Sequence, residues 1–185
     1  NVLRFYQWKP SALSLGRFQS LEGIDVEQCK RQGVDIVRRL TGGKAVFHDD
    51  ELTYSVVFDE KDLPKSVVES YKIISRPIVD ALRNLGVNAK MNEEVEEKER
   101  SSVCFVDPSY YEITVEGKKV VGSAQRRLNG KVLQHGSIVL QMDHEKTASL
   151  FKGIKAEDIE KRAAGINVEI KDLKKVLVKE FRKHF

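Results

Sequence analysis

YEITVEGKKVVGSAQRRLNGKVLQHGSIVLQM, residues 111–142, decides the fold. Three strand-like runs are separated by two short turns, Glu116-Gly117 and Asn129-Gly130. A two-residue hairpin turn that matches strand twist needs positive φ at its central residues, which Asn-Gly tolerates well. The stretch therefore predicts an antiparallel meander.

Outward from the meander, LTYSVVF (52–58) is a strand rich in β-branched and aromatic residues. LRFYQW (3–8) and ALSLGRF (12–18) read as strands around the turn at Lys9-Pro10-Ser11, and VDIVRR (34–39) as another. TGGKAVFHDD reads as a glycine-bearing connection. Asp25 is placed to cap a short helix through Arg31, ended by Gly33. The longest helix starts at Ser66 and Glu69, a capping-box pair, and carries Val67, Tyr71, Ile74, Ile78, Ala81, Leu82 and Leu85 at helical spacing. Gly86 is its natural stop, and Pro77 is expected to kink or split it. NEEVEEKERSS (92–102) reads as an exposed charged loop. Three helical segments close the chain: EKTASLF to Gly153, AEDIEKRA to Gly165, and IKDLKKVLVKEFRKHF. The order predicts an α+β fold with a mixed, largely antiparallel sheet flanked by helices.

The chain has 185 residues, enough for one domain with a substantial core. No apolar run is long enough to span a membrane, and no signal peptide is visible. Two cysteines in unlike contexts, Cys29 and Cys104, do not form a disulfide framework, so a reducing cytoplasm is expected. Net charge is +4 and spread along the chain, with local pairs at Arg38-Arg39 and Arg126-Arg127. Nucleic-acid binding calls for clustered cations with stacking aromatics or a known module, and neither is present. Basic patches suit an acidic protein partner or an anionic group instead.

RRLTGGKAVFHD sets two arginines, a glycine pair and a histidine in one string. Adjacent glycines let the backbone approach a ligand and can aim N–H groups into one concavity. Arg38 and Arg39 would supply fixed charge, and His48 a polar contact or a proton. Taken alone, Gly42-Gly43 is equally well a tight turn, and the string is not a P-loop, because Ala45 and Val46 follow Lys44. His135-Gly136 interrupts an apolar run, which reads as a bulge or a close approach to the backbone. GSAQ (122–125) clears space in the neighbouring strand. The four histidines show no zinc-like spacing, so no metal site is expected.

RFYQWKPSALSLGRFQ, RRLTGGKAVFHDDELTYSV, SSVCFVDPSYYEITVEGKKVVGSAQ and LQHGSI occur in an order that resembles the biotin/lipoate protein ligase superfamily. Within it they are most similar to octanoyltransferases that use a cysteine and a lysine. The resemblance runs from about Leu3 to Leu140 and implies a single ligase-like catalytic domain over 1–185 with a tunnel for a medium acyl chain. It implies that Cys104 is the acyl-thioester nucleophile and Lys119 its catalytic lysine. Arg38, Arg39, Gly42, Gly43 and His48 fall on the acyl-pocket motif, and Gly122, Ser123, Ala124, His135 and Gly136 on the facing strands. The donor it implies is octanoyl-acyl carrier protein. The acceptor is a lipoyl-domain protein, such as the glycine cleavage H protein or an E2 subunit. No cofactor is implied. The N-terminal strand and helix usual in the family, with an N-M-A-L-D-E-like segment, have no counterpart in this sequence, which fits either a trimmed chain or a shorter member of the family.

The residue types suit that chemistry. A thiolate, not a thiol, attacks, and a neighbouring cation lowers a cysteine pKa from about 8.5 to roughly 3.5–7.5. Three readings compete with the transferase. One is an ATP- and magnesium-dependent lipoate-protein ligase, one an amidotransferase moving octanoyl between lipoyl domains, and one a non-catalytic binding module. A buried hydrophobic role for Cys104 and a solvated turn pair at Lys118-Lys119 are the plain structural alternatives.

Overall fold

The computed structural model describes residues 1–92 and 111–185. In chain order the strands are β1 (Val2–Tyr6), β2 (Ala12–Leu15), β3 (Asp35–Arg38), β4 (Val46–His48), β5 (Glu51–Asp59), β6 (Lys90–Met91), β7 (Ile113–Val115), β8 (Lys118–Leu128) and β9 (Lys131–Val139). The helices are α1 (Val26–Arg31), α2 (Val67–Asn84), α3 (His144–Ser149), α4 (Ala156–Glu160) and α5 (Ile170–His184). A six-stranded antiparallel sheet runs β1-β5-β9-β8-β7-β6, and a three-stranded mixed sheet runs β3-β2-β4.

The meander forms as its turns predict. Glu116 and Gly117 have φ of 50° and 78°, and Asn129 and Gly130 have 51° and 71°, so both turns place two residues in the left-handed region. These turns fix β7, β8 and β9 in register, and β5 then pairs with β9 from Glu51↔Val139 to Asp59↔Lys131.

Three expectations need correcting. β1 and β2 flank the Lys9-Pro10 turn but do not pair with each other, since β1 joins β5 in the large sheet and β2 the small one. The turn is a corner between sheets. The connection 41–50 also contains a strand, β4, whose three residues are all buried. Finally, α2 is one continuous helix through Pro77. An interior proline costs about 3 kcal/mol, but Ile74, Ile78, Ala81 and Leu82 are fully buried, each contributing roughly 1.5–3 kcal/mol if apolar and large. Ser66 Oγ accepts from Glu69 N–H at 3.3 Å at its start. At its end Gly86 N–H donates to Arg83 and Val87 N–H to Leu82, the paired bonds of a Schellman stop.

Two apolar cores result. Leu52, Tyr54, Val56 and Ile138 of the large sheet pack under α2 and under Leu173, Leu177 and Phe181 of α5. Leu13, Leu15 and Phe47 of the small sheet pack with Ile24, Cys29, Leu150, Phe151 and Ile159. The sheets meet along their remaining faces.

Gly136 is not a bulge, because β9 keeps its register with both neighbours there. A Cβ at Gly136 would lie 2.4 Å from Ser123 Oγ, 2.6 Å from Gly122 O and 2.7 Å from Tyr54 Cε1. Chemical unfolding of Gly136→Ala is expected to show a loss of about 1–3 kcal/mol from overpacking. Gly42→Ala, with nothing within 4 Å of the added carbon, is expected to leave the midpoint unchanged.

Candidate active site at the seam between the sheets

Strand alternation assigns each predicted residue a face. Opposed residues of an antiparallel pair share a face, and neighbours along a strand alternate. Ser123 opposes Gly136, whereas Gly122 opposes Ser137 and Ala124 opposes His135. The Tyr54 hydroxyl, in the α2 core, donates to Ser123 Oγ at 2.8 Å. Ser123 and Gly136 therefore lie behind the large sheet, away from the other expected site residues. There Gln134 Nε2 donates to Tyr54 Oη at 3.1 Å and to Ser75 Oγ at 3.2 Å, and Gln125 donates to Gln134 at 3.0 Å. Burial pushes the Tyr54 phenol up to about 12.

His135 takes the opposite face and reaches the small sheet. Its Nε2 lies 2.6 Å from Thr41 Oγ1. Burial, then the charges of Arg39 and His48, hold it down to about 4. Gly122 and Ala124 share this face, and their small side chains leave room on it. Ser137, also on it, keeps a buried hydroxyl with no hydrogen-bond partner among the described residues.

His48 enters the seam from β4. Its Nε2 is 2.7 Å from Ser14 Oγ, and its Nδ1 lies 3.0 Å from Glu51 Oε2 as a close electrostatic contact. Its ring stacks on Trp8 at 4.5 Å and 17°. Thr53 Oγ1 accepts from Trp8 Nε1 at 2.9 Å and donates to Glu51 Oε1.

The arginines, expected to supply fixed charge, also bind backbone carbonyls. Arg38 Nη1 donates to the carbonyls of Gly16, Arg17 and Gln19 at 2.7, 3.2 and 2.8 Å. Arg39 donates to the carbonyls of Ser14, Gly42 and Lys44 at 2.7, 2.8 and 2.7 Å. They clamp the loop after β2 against the glycine turn. The two loops approach so closely that a Cβ on Gly16 would sit 1.8 Å from Gly43 O. Gly43 has φ of 90°, and Gly42 is exposed at the mouth of the seam.

Lys119 is 3% exposed, which excludes a solvated turn pair for it. Its ammonium donates to Glu112 Oε1 at 2.5 Å. β7 shifts register here, pairing Ile113 with Val121 and Thr114 with Lys119, so Val120 is the extra residue of a bulge. The Lys119 backbone is held by Arg162 O at 2.7 Å and Ala164 N–H at 3.1 Å. Cys104 and most of the charged loop 92–102 lie outside the described residues. Cys29 is fully buried, and burial raises its thiol pKa.

Ser14, Gly16, Thr41, Glu51 and Glu112 were not singled out in the sequence. Ser14 falls between Leu13 and Leu15, so alternation puts it on the face opposite those core residues, which is a weak signal. Partner choices across distant strands leave no local trace. Away from the seam, Asp80, Glu180 and His184 bring ligand-type atoms within 4.8 Å of one another. They already form an ion network: His184 Nε2 is 3.0 Å from Asp80, and Glu180 accepts from Asn84 at 3.0 Å.

The sequence pattern of the Lipoyl protein ligase A/B catalytic domain matches residues 1–185. The chain belongs to that family. Octanoyltransferase LipM of Geobacillus kaustophilus (strain HTA426) is 45% identical, aligned over 98% of this chain and 74% of its own. The protein of the same name from Bacillus subtilis (strain 168) is 43% identical over 100% of this chain and 72% of its own. Other relatives of that name are matched over 58% of their length, so the chain spans between 58% and 74% of these proteins. A crystal structure of lipoate-protein ligase A bound with ATP superposes with a TM-score of 0.81 at 26% identity, covering 98% of this chain and 71% of that one. The two-sheet ligase architecture is thus shared.

A pH dependence follows from His135. The unfolded ring, near 6.5, binds a proton that the folded ring refuses until about pH 4, so between those values the unfolded state takes up more protons. Stability is then full above about pH 6.5 and is lost as pH falls toward 4, on the order of 3 kcal/mol for this group. Thermal unfolding of native protein and His135→Asn across this window should show the smaller acid loss in the variant. An NMR titration placing the ring near 6.5 would contradict the assignment.

Proposed function

We propose that the chain is an octanoyltransferase of lipoate biosynthesis. It moves an octanoyl group from acyl carrier protein to a lysine of a lipoyl domain through a thioester on Cys104. The observation that carries this is the 43–45% identity to octanoyltransferases LipM over nearly the whole chain, on a ligase-type fold. The seam supports it. It has a small-residue face at Gly122 and Ala124, and a neutral His135 that adds no charge beside an acyl chain.

In the first step the Cys104 thiolate attacks the carbonyl carbon of the donor thioester, and the carrier's pantetheine thiolate leaves and takes up a proton. One thioester replaces another, so the step is close to neutral and needs no ATP. In the second step the neutral acceptor amine attacks the acyl-enzyme. The amide forms, the Cys104 thiolate leaves, and the amine's proton is released. Lys119 is the cation we assign to stabilising the thiolate. Glu112, its buried partner, fixes its position and moderates its field. The acceptor would be a lipoyl-domain protein such as the glycine cleavage H protein or an E2 subunit.

A second reading, an ATP- and magnesium-dependent ligase, is favoured by the likeness to lipoate-protein ligase A. Lys44 at the position where ligases often carry a third glycine weighs toward the transferase.

Intact mass spectrometry after mixing with octanoyl-acyl carrier protein should show one octanoyl adduct, absent in Cys104→Ser. Adenylate formation from lipoate and ATP that persists in Cys104→Ser would favour the ligase. Lys119→Met should cost about 3–5 kcal/mol, because it breaks a buried ion pair. Adding Glu112→Leu should restore most of that stability while leaving transfer impaired. Recovery of full transfer by the double variant would remove Lys119 from the chemistry.

A further inference from the structure

The loop after β2 and the turn after β3 run side by side, because Arg39 N–H donates to Leu15 O at 3.1 Å and Arg17 N–H to Thr41 O at 2.9 Å. This pairing carries Phe18 and Leu40 to the rim of the seam, next to Gly42 and Thr41. Phe18 is 87% exposed and Leu40 is 64% exposed. The Arg17 guanidinium lies 5.1 Å from the centre of the Phe18 ring, and Arg126 Nη1 donates to Leu40 O at 3.0 Å. Arg38 braces the same loop through three carbonyls. Among the described residues no carboxylate pairs with Arg17, Arg38 or Arg126.

Single exposed apolar residues are ordinary, but an exposed ring and an exposed leucine framed by three uncompensated cations make a surface with a definite complement. Aromatic and arginine side chains are also those that most often dominate protein interfaces. We propose that this rim docks the acyl donor: an acidic carrier protein that presents its acyl thioester on a pantetheine arm. The inference rests on the transferase reading above. It adds where the donor sits and which residues select it.

Charge and position favour the donor at this place. Carboxylates on the carrier would pair with Arg17, Arg38 and Arg126, steering association, while Phe18 and Leu40 pack on its apolar surface. The rim adjoins the seam directly, so an arm descending from it enters between the sheets. α5 offers another basic face at Lys174, Lys175, Lys179 and Arg182, bordering a groove of about 550 Å³. That helix packs on the other side of the large sheet, over the core under Tyr54, and a carrier held there would present its arm on the wrong side.

The test uses the triple variant Phe18→Ala, Leu40→Ala, Arg17→Glu, in which every altered side chain is exposed. Binding of octanoyl-acyl carrier protein by fluorescence anisotropy should weaken by at least about tenfold. The KM for that donor should rise in parallel, while the rate with octanoyl-pantetheine, which lacks the protein, stays within about twofold. Native binding should also weaken as salt rises. Unchanged carrier binding in the variant would overturn the proposal, as would weakened binding of the lipoyl-domain acceptor with the donor unaffected. Carrier binding that depends on the rim, in a native protein that transfers no acyl group from either donor, would uphold the surface and overturn the transferase reading.

Discussion

The site depends on the register between β8 and β9. Their faces serve incompatible environments: Ser123, Gln125, Gln134 and Gly136 look into a packed core beneath α2, whereas Gly122, Ala124, His135 and Ser137 look into the seam. Because side chains alternate with a period of two, a slip of one residue would exchange the sets. It would push His135 into the aliphatic core and expose Tyr54 to a histidine-sized neighbour. The Asn129-Gly130 turn prevents this, and Gly136 reinforces it, since only a residue without Cβ fits under Tyr54 and Ser123. Stability of the core thus enforces placement of the site.

The seam is polar, yet most of its groups are satisfied within the protein. Trp8, Thr53, Glu51, His48 and Ser14 form one chain of contacts, and Arg39 closes it on the glycine turn. Buried polar groups that lack partners cost roughly 1–3 kcal/mol each, so such a chain holds its members in fixed orientations. Preorganisation of this kind would suit the proposed binding of an uncharged, flexible acyl group. In the proposed transferase the rigid polar members would frame the entrance, and Gly122 and Ala124 would provide the smooth wall.

Much of the fold was legible because local chemistry carries it. Glu116-Gly117 and Asn129-Gly130 declare their turns, Asp25 and Ser66 their helix starts, and Gly33 and Gly86 their stops. The errors arose where tertiary pairing decides. Nothing near Lys9-Pro10 says that β1 and β2 belong to different sheets, and β4 is too short to show a pattern inside its glycine-rich flanks. For the candidate site, the family's motifs named residues but not the faces they occupy. GSAQ and LQHGSI read as single units, while the sheet divides each between two sides. The arginine pair was recognised, and its use as a clamp on backbone carbonyls was visible only once the loops were folded together.

The buried Glu112–Lys119 pair constrains how any thiolate chemistry can work. A lone ammonium in a low-dielectric site would shift its own pKa downward and lose its charge, and with it the power to stabilise an anion. A carboxylate at 2.5 Å holds the ammonium in place, but it also offsets part of the field that a nearby thiolate would feel. The pair therefore trades strength for permanence. In the proposed transferase that balance would suit a thioester intermediate, which must form from a good nucleophile and then leave as the same group. A sulfur stabilised too strongly would be a poor attacker in the first step, since nucleophilicity falls as thiol pKa falls. In the proposed transferase, the β8 bulge that seats Lys119 next to Glu112 would set how strongly that cation acts on the Cys104 sulfur.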